Sequence, residues 1–564
     1  MLDVDATFVE INGWGRYQKL MYLLLCLPTS IAGAAVISLS WTGFNMKYRC
    51  LVPACENATS ATYDAWFLNF TTPRDADPSD PAFPWSECQT FQPMVQGQCN
   101  AGAFNETVTQ ECSQWVYDTS IMEYTIVSEY QLSCGRAWLI SLANSLYMVG
   151  MFVGSLVLGY ISDRFGRKVA MLLSFFTVGV VGTTMAFVPS FALYAPLRFL
   201  IGVGGMGIFM TCFLLGVETV SNDVRTLCGM IIHFFFPFGE AMVAVFAIFV
   251  KDWHSLQLII SVPAFIFMSY YFFVPESPRW LAAEGKFEQA ERNLRTAARF
   301  NGVQFPDHLL KKQSLKTSNS ETPILLDDPP QMSVLDLFRT PALRWRTLII
   351  LYQWFVTAMV YYGLGMNATQ LGSSVYVNFI LVQLIEIPAA ISCIFVLDPW
   401  GRKLSLALFF ALSGIGSIVS GVCSSGRSAA METITVAMAV LGKYGSSATF
   451  AIVFVYGAEL FPTDLRNSGI GMSSAAGRVG SIIAPFIISL GGSSQVLPMT
   501  IFGVLSLIGA FITVFLPETY GENLPDTIEE TESFGKDQSL CFIPCLNRRR
   551  ARKIEPSPRS ASLT

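Results

Sequence analysis

Apolar residues along this chain come in runs of about 20, separated by shorter polar links. A helix rising about 1.5 Å per residue needs a run of that length to cross the hydrocarbon core of a bilayer. Such runs stand at roughly 20–43, 137–161, 169–188, 191–213, 227–250 and 255–274, and again at 346–366, 374–397, 404–423, 431–456, 468–491 and 496–516. Lipid offers nothing to satisfy free peptide groups, so each run is expected to be a helix. The first run follows a short polar stretch and is long enough to span, so it reads as a membrane helix rather than a cleaved leader. Three polar regions, 44–136, 275–345 and 518–564, break the pattern. The expectation is an all-α membrane protein with twelve transmembrane helices. It is organised as an N-terminal segment (1–19), a six-helix half (20–274), a linker (275–345), a second six-helix half (346–517) and a tail (518–564).

The region 44–136 holds Cys50, Cys55, Cys88, Cys99, Cys112 and Cys134. An even set in one polar loop points to three disulfides on an oxidising side, and six cysteines leave about 15 pairings open. The same loop carries three glycosylation sequons, beginning at Asn57, Asn69 and Asn105. Together these mark it as extracellular. A fourth sequon, at Asn367, sits close to a helix end and is expected to be unmodified.

Basic residues set the orientation. Arg164, Arg167 and Lys168 follow the second run, Arg402 and Lys403 follow the eighth, and Arg548-Arg549-Arg550 lie in the tail. The linker adds Lys286, Arg292, Arg295, Arg299, Lys311, Lys312, Arg344 and Arg346, whereas the opposite links carry almost none. This bias places both termini in the cytoplasm. Within the linker, Lys286 to Arg299 reads as an amphipathic helix ending near Gly302, and 311–330 as a flexible connection. The tail, with Cys541 and Cys545 before its basic run, reads as solvated, with a palmitoylated lipid-binding segment as the alternative.

Three patterns recur in order in the two halves. Asp163-Arg164-Phe165-Gly166-Arg167-Lys168 is matched by Asp398-Pro399-Trp400-Gly401-Arg402-Lys403. Gly216-Val217-Glu218 with Arg225 is matched by Gly457-Ala458-Glu459 with Arg466, and Pro275-Glu276 by Pro517-Glu518. The offsets are 235 (398 − 163), 241 (459 − 218) and 242 (518 − 276) residues. Matched order at one spacing implies two pseudo-symmetric halves related by an axis along the membrane normal, the arrangement of the major facilitator fold. Each acid and arginine falls at a predicted cytoplasmic helix end. Asp163, Arg164, Gly166, Arg167, Glu218, Arg225, Glu276, Arg279, Asp398, Gly401, Arg402, Glu459 and Arg466 are therefore expected to form a cytoplasmic gate, with charges pairing across the halves when that side closes.

Composition and motif context exclude other classes. Apolar residues make up 52% of the chain and charged residues only 14%, about half the charged share of a soluble protein. Gly202-Val203-Gly204-Gly205-Met206-Gly207 has dinucleotide-loop spacing but lies inside an apolar run without a preceding strand, so helix packing is the better reading. No phosphate-loop signature, nucleophile–base pair or metal-ligand spacing is present, and His233, His254 and His308 are scattered. An enzyme, an ATP-driven pump, a metal protein and a nucleic-acid binder all lack support. The expected partners are the bilayer and a small organic ion or zwitterion, with no cofactor and the coupling ion, sodium or proton, left open.

Ionisable residues inside membrane runs are costly and point to function. Glu386 lies midway along the eighth run, Arg478 along the eleventh, Lys443 in the tenth and Glu240 in the fifth, with Arg198 nearer the end of the fourth. An arginine fork suits a carboxylate. The seventh run carries Trp354, Tyr361 and Tyr362, and aromatic faces attract ammonium groups. Trp354, Tyr361, Tyr362, Glu386, Lys443, Arg478 and Glu240 are the candidate substrate-binding residues, suited to a solute bearing both charges.

With these motifs the chain resembles the organic cation, organic anion and carnitine transporters of the major facilitator superfamily. Further matches are Trp115-x-x-Asp118, Thr125-Ile126-Val127-Ser128-Glu129, Asp252-Trp253, Pro275-Glu276-Ser277-Pro278-Arg279-Trp280, Glu386-Ile387-Pro388 and Ala458-Glu459-Leu460-Phe461-Pro462-Thr463. The resemblance implies a plasma-membrane secondary transporter working by alternating access. Its cation branch typically has an aspartate in the place of Arg478, and its anion branch a lysine in the place of Ala390. Gly442-Lys443-Tyr444-Gly445 looks most like the carnitine and zwitterion branch. The implied substrates are carnitine-like zwitterions or organic cations. The rivals are an organic anion exchanger of the same fold and a non-transporting receptor or scaffold.

Overall fold

The computed structural model describes residues 4–58, 60–75, 83–95, 97–306, 334–372, 374–426, 428–491, 496–522, 524–536 and 538. His308, Lys311 and Lys312, the 311–330 connection, Thr59 of the first sequon, and the tail with Cys541, Cys545 and Arg548-Arg549-Arg550 lie outside them.

Among the described residues, twelve helices are long and apolar enough to span a membrane: Arg16–Thr42, Cys134–Phe165, Arg167–Met185, Phe191–Glu218, Asn222–Phe249, Trp253–Phe273, Pro341–Gln370, Val375–Trp400, Arg402–Cys423, Ala429–Leu460, Arg466–Ser489 and Val496–Thr513. They are spans one to twelve here. Each matches an apolar run, though several extend further because polar residues continue the helix beyond the apolar stretch. The amphipathic linker helix runs Phe287–Asn301 and stops at Gly302, whose φ of +74° suits glycine.

The chain divides into two compact units: residues 1–325 with 365–384 and 485–495, and residues 326–364 with 385–484 and 496–564. Residues 365–384 and 485–495 pack within the first unit. Tyr376 stacks on Trp41 with ring centroids 4.8 Å apart and donates to the Ile121 carbonyl at 2.9 Å. Ser141 donates to the Pro485 carbonyl at 3.0 Å.

Small residues set the helix spacing inside each unit. In the first, the Gly150 and Gly202 backbones of spans two and four meet so closely that a Cβ on either would strike the other helix's carbonyl. Gly202 belongs to the segment with dinucleotide-loop spacing, which is therefore a packing face. In the second, a Cβ on Gly416 of span nine or on Gly445 of span ten would likewise strike the backbone of the facing helix.

The polar loop adds what the all-α reading did not anticipate, two small antiparallel sheets. Strand β1 (Tyr48–Cys50) pairs with β4 (Trp115–Tyr117), and β2 (Gln89–Pro93) with β3 (Phe104–Glu111). The six loop cysteines form Cys50–Cys112, Cys55–Cys99 and Cys88–Cys134, one of the pairings left open by sequence. A small core of Val52, Phe67, Leu68, Phe83, Ala103 and Phe104 fills the loop domain. Beside it the buried Arg49 makes a bidentate pair with Glu56 at 2.5 and 2.6 Å. Asn57 and Asn69 are exposed and Asn105 is half-buried on β3, whereas Asn367 is buried.

Candidate functional site

Span seven presents Trp354, Tyr361 and Tyr362, all largely buried. The Tyr361 hydroxyl donates to Glu386 of span eight at 2.8 Å. The Lys443 ammonium of span ten lies 2.7 Å from the other Glu386 oxygen. It also donates to the Tyr361 carbonyl at 3.2 Å and sits 3.6 Å from the centroid of the Tyr361 ring. Lys443 is 1% exposed and Glu386 9%. Three candidates named separately from sequence are thus one closed unit, a buried lysine satisfied at once by a carboxylate, a carbonyl and an aromatic face. The Lys443–Glu386 contact is an ion pair without hydrogen-bond alignment, since that carboxylate oxygen has no aligned donor.

The Lys443 ammonium thus lies against both the Glu386 carboxylate and the Tyr361 ring.

Span ten contributes two residues that sequence reasoning missed. Phe450 lies 5.1 Å from Tyr361, and Phe454 packs edge-on to Trp354 at 4.3 Å. With the Phe450–Phe454 contact at 5.7 Å and Tyr361–Tyr362 at 5.0 Å, the five rings form a continuous band. The signal was available, because Phe450 and Phe454 fall seven and eleven residues after Lys443 and share its helix face. Arg478 is half-buried on span eleven, next to Gly477, whose backbone packs on Trp354.

In the first unit, Glu240 is buried on span five. Arg198 is fully buried, donates to Ser38 at 2.9 Å and lies 4.9 Å from the Tyr147 ring centroid. Arg198 thus joins spans one, two and four.

The repeated motifs build two matching charge clusters. In the first unit, Arg167 binds Glu218 at 3.1 Å and Asp163 at 2.9 Å. Glu276 accepts the backbone N–H groups of Arg167 and Lys168 at 3.1 Å each, placing a carboxylate at the N-terminus of span three. Burial is the largest influence on Glu276 and raises its pKa, against the lowering effect of the backbone N–H groups of Ser277, Lys168 and Arg167. In the second unit, Arg402 binds Glu459 at 3.3 Å and Asp398 at 3.4 Å, and Glu518 accepts the Arg402 and Lys403 N–H groups at 2.9 and 3.1 Å.

Each of these pairings is made within its own unit. The reason is local: the acid ending span four or ten lies beside the arginine opening span three or nine. Arg279 joins the first cluster by donating to the Glu218 and Val220 carbonyls at 3.1 and 3.0 Å. Arg225 lies 3.8 Å from Asp5. Arg164 is exposed, and Arg466 is half-buried without an ion pair among the described residues.

Gly166 and Gly401 turn the chain at these clusters with φ of +109° and +84°. A Cβ at either would run into the Glu276 or Glu518 carboxylate. Gly401→Ala is expected to cost on the order of 1–3 kcal/mol in backbone strain alone. Thermal unfolding of the detergent-purified chain checks this, and a midpoint equal to that of the unaltered chain would contradict it.

Comparison with known proteins agrees with the architecture. Residues 95–530 match the family model described as sugar (and other) transporter. The chain is 34% identical to the organic cation transporter-like protein of Drosophila melanogaster, over 94% of this chain and 93% of that one. It is 33% identical to solute carrier family 22 member 3 of Rattus norvegicus (95% and 96% covered) and 30% to that species' organic cation/carnitine transporter 2 (94% and 94%). Among solved structures, the inward-open xylose transporter XylE from E. coli superposes with a TM-score of 0.60 at 16% identity, over 92% of this chain and 100% of that one, a likeness of fold. A multi-pass chain of this fold, with carriers for relatives along almost its whole length, is a transporter and not an enzyme. The chain belongs to the sugar and other transporters of the major facilitator superfamily and, within them, to the solute carrier family 22 group of organic cation, organic anion and carnitine carriers.

Proposed function

We propose that the chain is a plasma-membrane carrier of small organic solutes bearing a carboxylate, with carnitine-like zwitterions as the best-fitting class, working by alternating access with both termini in the cytoplasm. The observation that carries this reading is the closed Tyr361–Glu386–Lys443 unit. Glu386 is neutralised by Lys443 at 2.7 Å, so it is not the charge that selects the substrate. Arg478 is then the selecting charge, and its planar fork suits a carboxylate. The remaining band of Trp354, Phe450, Phe454 and Tyr362 offers aromatic surface to a methylated ammonium. Relatives named for organic cations and carnitine agree with a solute carrying an ammonium.

An organic anion is the second reading, favoured by the same arginine. The loop sequons at Asn57, Asn69 and Asn105 are read as glycosylated, and the charge clusters around Arg167 and Arg402 as the cytoplasmic gate.

The test is labelled uptake in cells expressing the chain. Carnitine, choline and an aromatic carboxylate are compared, each with and without sodium. Carnitine uptake above the other two supports the reading. Choline uptake above carnitine overturns it, and preference for the aromatic carboxylate selects the anion reading.

A further inference from the structure

The N-terminal helix Val4–Glu10 is not needed to cross a membrane, yet it is built into the first unit with unusual completeness. Val4, Phe8 and Ile11 are buried against Trp280, Leu281, Leu294, Ala297 and Ala298 of the linker helices Pro278–Ala283 and Phe287–Asn301. Asn301 locks the turn that follows. Its side-chain nitrogen donates to the Ile11 carbonyl at 3.0 Å and to Gln18 at 2.9 Å, and its oxygen accepts the Tyr17 N–H at 2.9 Å.

The surface this helix covers is the hub of the Arg167 cluster. The hub caps three span ends. Trp280 donates to the Asp163 carbonyl at 2.8 Å near the end of span two. Glu276 caps the start of span three, and Arg279 binds the carbonyls that end span four. The remaining partners of Arg279 come from the N-terminal helix: Asp5 at 2.7 Å and the Phe8 ring, with its centroid 5.6 Å from the guanidinium carbon. Asp5 therefore reaches the gate through two arginines, Arg279 at 2.7 Å and Arg225 at 3.8 Å: by the shorter contact it orients Arg279, Arg279 holds the end of span four, and that end presents Glu218 to Arg167.

The second unit has a separate device at the equivalent place. Its Glu518 is pinned by Gln538, which donates to the Glu518 carbonyl at 3.1 Å and accepts its N–H at 2.8 Å. Thr519 donates to Glu459. Each cluster is thus held by a segment from one end of the chain.

We infer that the N-terminal helix is a clasp on the first unit's charge cluster, anchored by Phe8, with Asp5 as a positioning residue for Arg279, and that the turnover of transport depends on it. An exposed ion pair adds little stability by itself. The apolar anchor therefore holds the helix, and Asp5 sets the registry.

This inference does not depend on which solute is carried, and two readouts in the full chain test it. The first is maleimide labelling, in permeabilised cells, of a cysteine placed at the buried Ala297. Phe8→Asp is expected to speed labelling at least tenfold, and unchanged labelling would mean that the helix is not a clasp. The second is uptake kinetics per molecule at the surface, using whichever of carnitine, choline and the aromatic carboxylate the unaltered chain takes up. Asp5→Ala is expected to lower the maximal rate several-fold at constant KM, with Asp5→Glu restoring it. An unchanged maximal rate in Asp5→Ala would overturn the positioning role, whereas a changed KM would place Asp5 in solute recognition instead. Lack of uptake of all three probes by the unaltered chain counts against the substrate reading, and the labelling result then decides the clasp alone.

Discussion

Lys443→Ala or Glu386→Ala alone is expected to leave little folded carrier, whereas Lys443→Met with Glu386→Met recovers much of it. The single changes strand one buried charge at a place where both partners are at least nine-tenths buried. Losing one member of a buried pair typically costs about 3–5 kcal/mol, while replacing both by apolar residues of similar volume is often neutral. Lys443 would lose a carboxylate at 2.7 Å, and Glu386 would keep only the Tyr361 hydroxyl at 2.8 Å. The measurement is thermal unfolding of the purified variants beside their level at the cell surface. Single variants as stable as the unaltered chain would show that the pair does not hold spans seven, eight and ten together. A double variant as unstable as the singles would show that the site demands charge.

Arg478→Ala is expected to separate binding from folding. Arg478 is half-buried, so its removal opens less of a void than loss of an enclosed side chain, and surface level should stay near that of the unaltered chain. A hydrogen bond to a charged group is worth roughly 1.5–3 kcal/mol, which predicts about a 10- to 100-fold loss in uptake efficiency for carboxylate-bearing solutes. Choline, which has no carboxylate, should lose nothing to the same change. Initial uptake rates across a concentration series give both numbers. An equal loss for choline and carnitine would mean that Arg478 holds the fold and does not read the solute.

Much of the fold was legible because its signals are local. Run length alone marks the twelve spans, and glycine after an amphipathic run marks the end of the linker helix at Gly302. The repeat was legible for the same reason: Asp163 to Lys168 and Asp398 to Lys403 are short strings that can be matched by eye.

What escaped were the pairings. Nothing in the string says that Lys443 lies on Tyr361 and against Glu386, because those three positions belong to three different helices. The individual residues stood out only as costly charges and aromatics. The same limit applies to the charge clusters, where nothing in the string says that Arg167 meets Glu218 or that Arg402 meets Glu459. Six loop cysteines announce disulfides but not which ones, and the short strands β1 to β4 carry too little periodicity to compete with the surrounding polar sequence. Phe450 and Phe454 are a different kind of omission. Their spacing from Lys443 put them on the candidate face, but two phenylalanines in an apolar run look like ordinary lipid-facing residues until that face is fixed.

The most direct test of the central claim is the ratio of carnitine to choline uptake in proteoliposomes, measured for the unaltered chain and for Arg478→Ala under identical conditions. The account predicts a ratio well above one that collapses to one or below in the variant. A ratio below one in the unaltered chain, or one that the variant leaves unchanged, would contradict it.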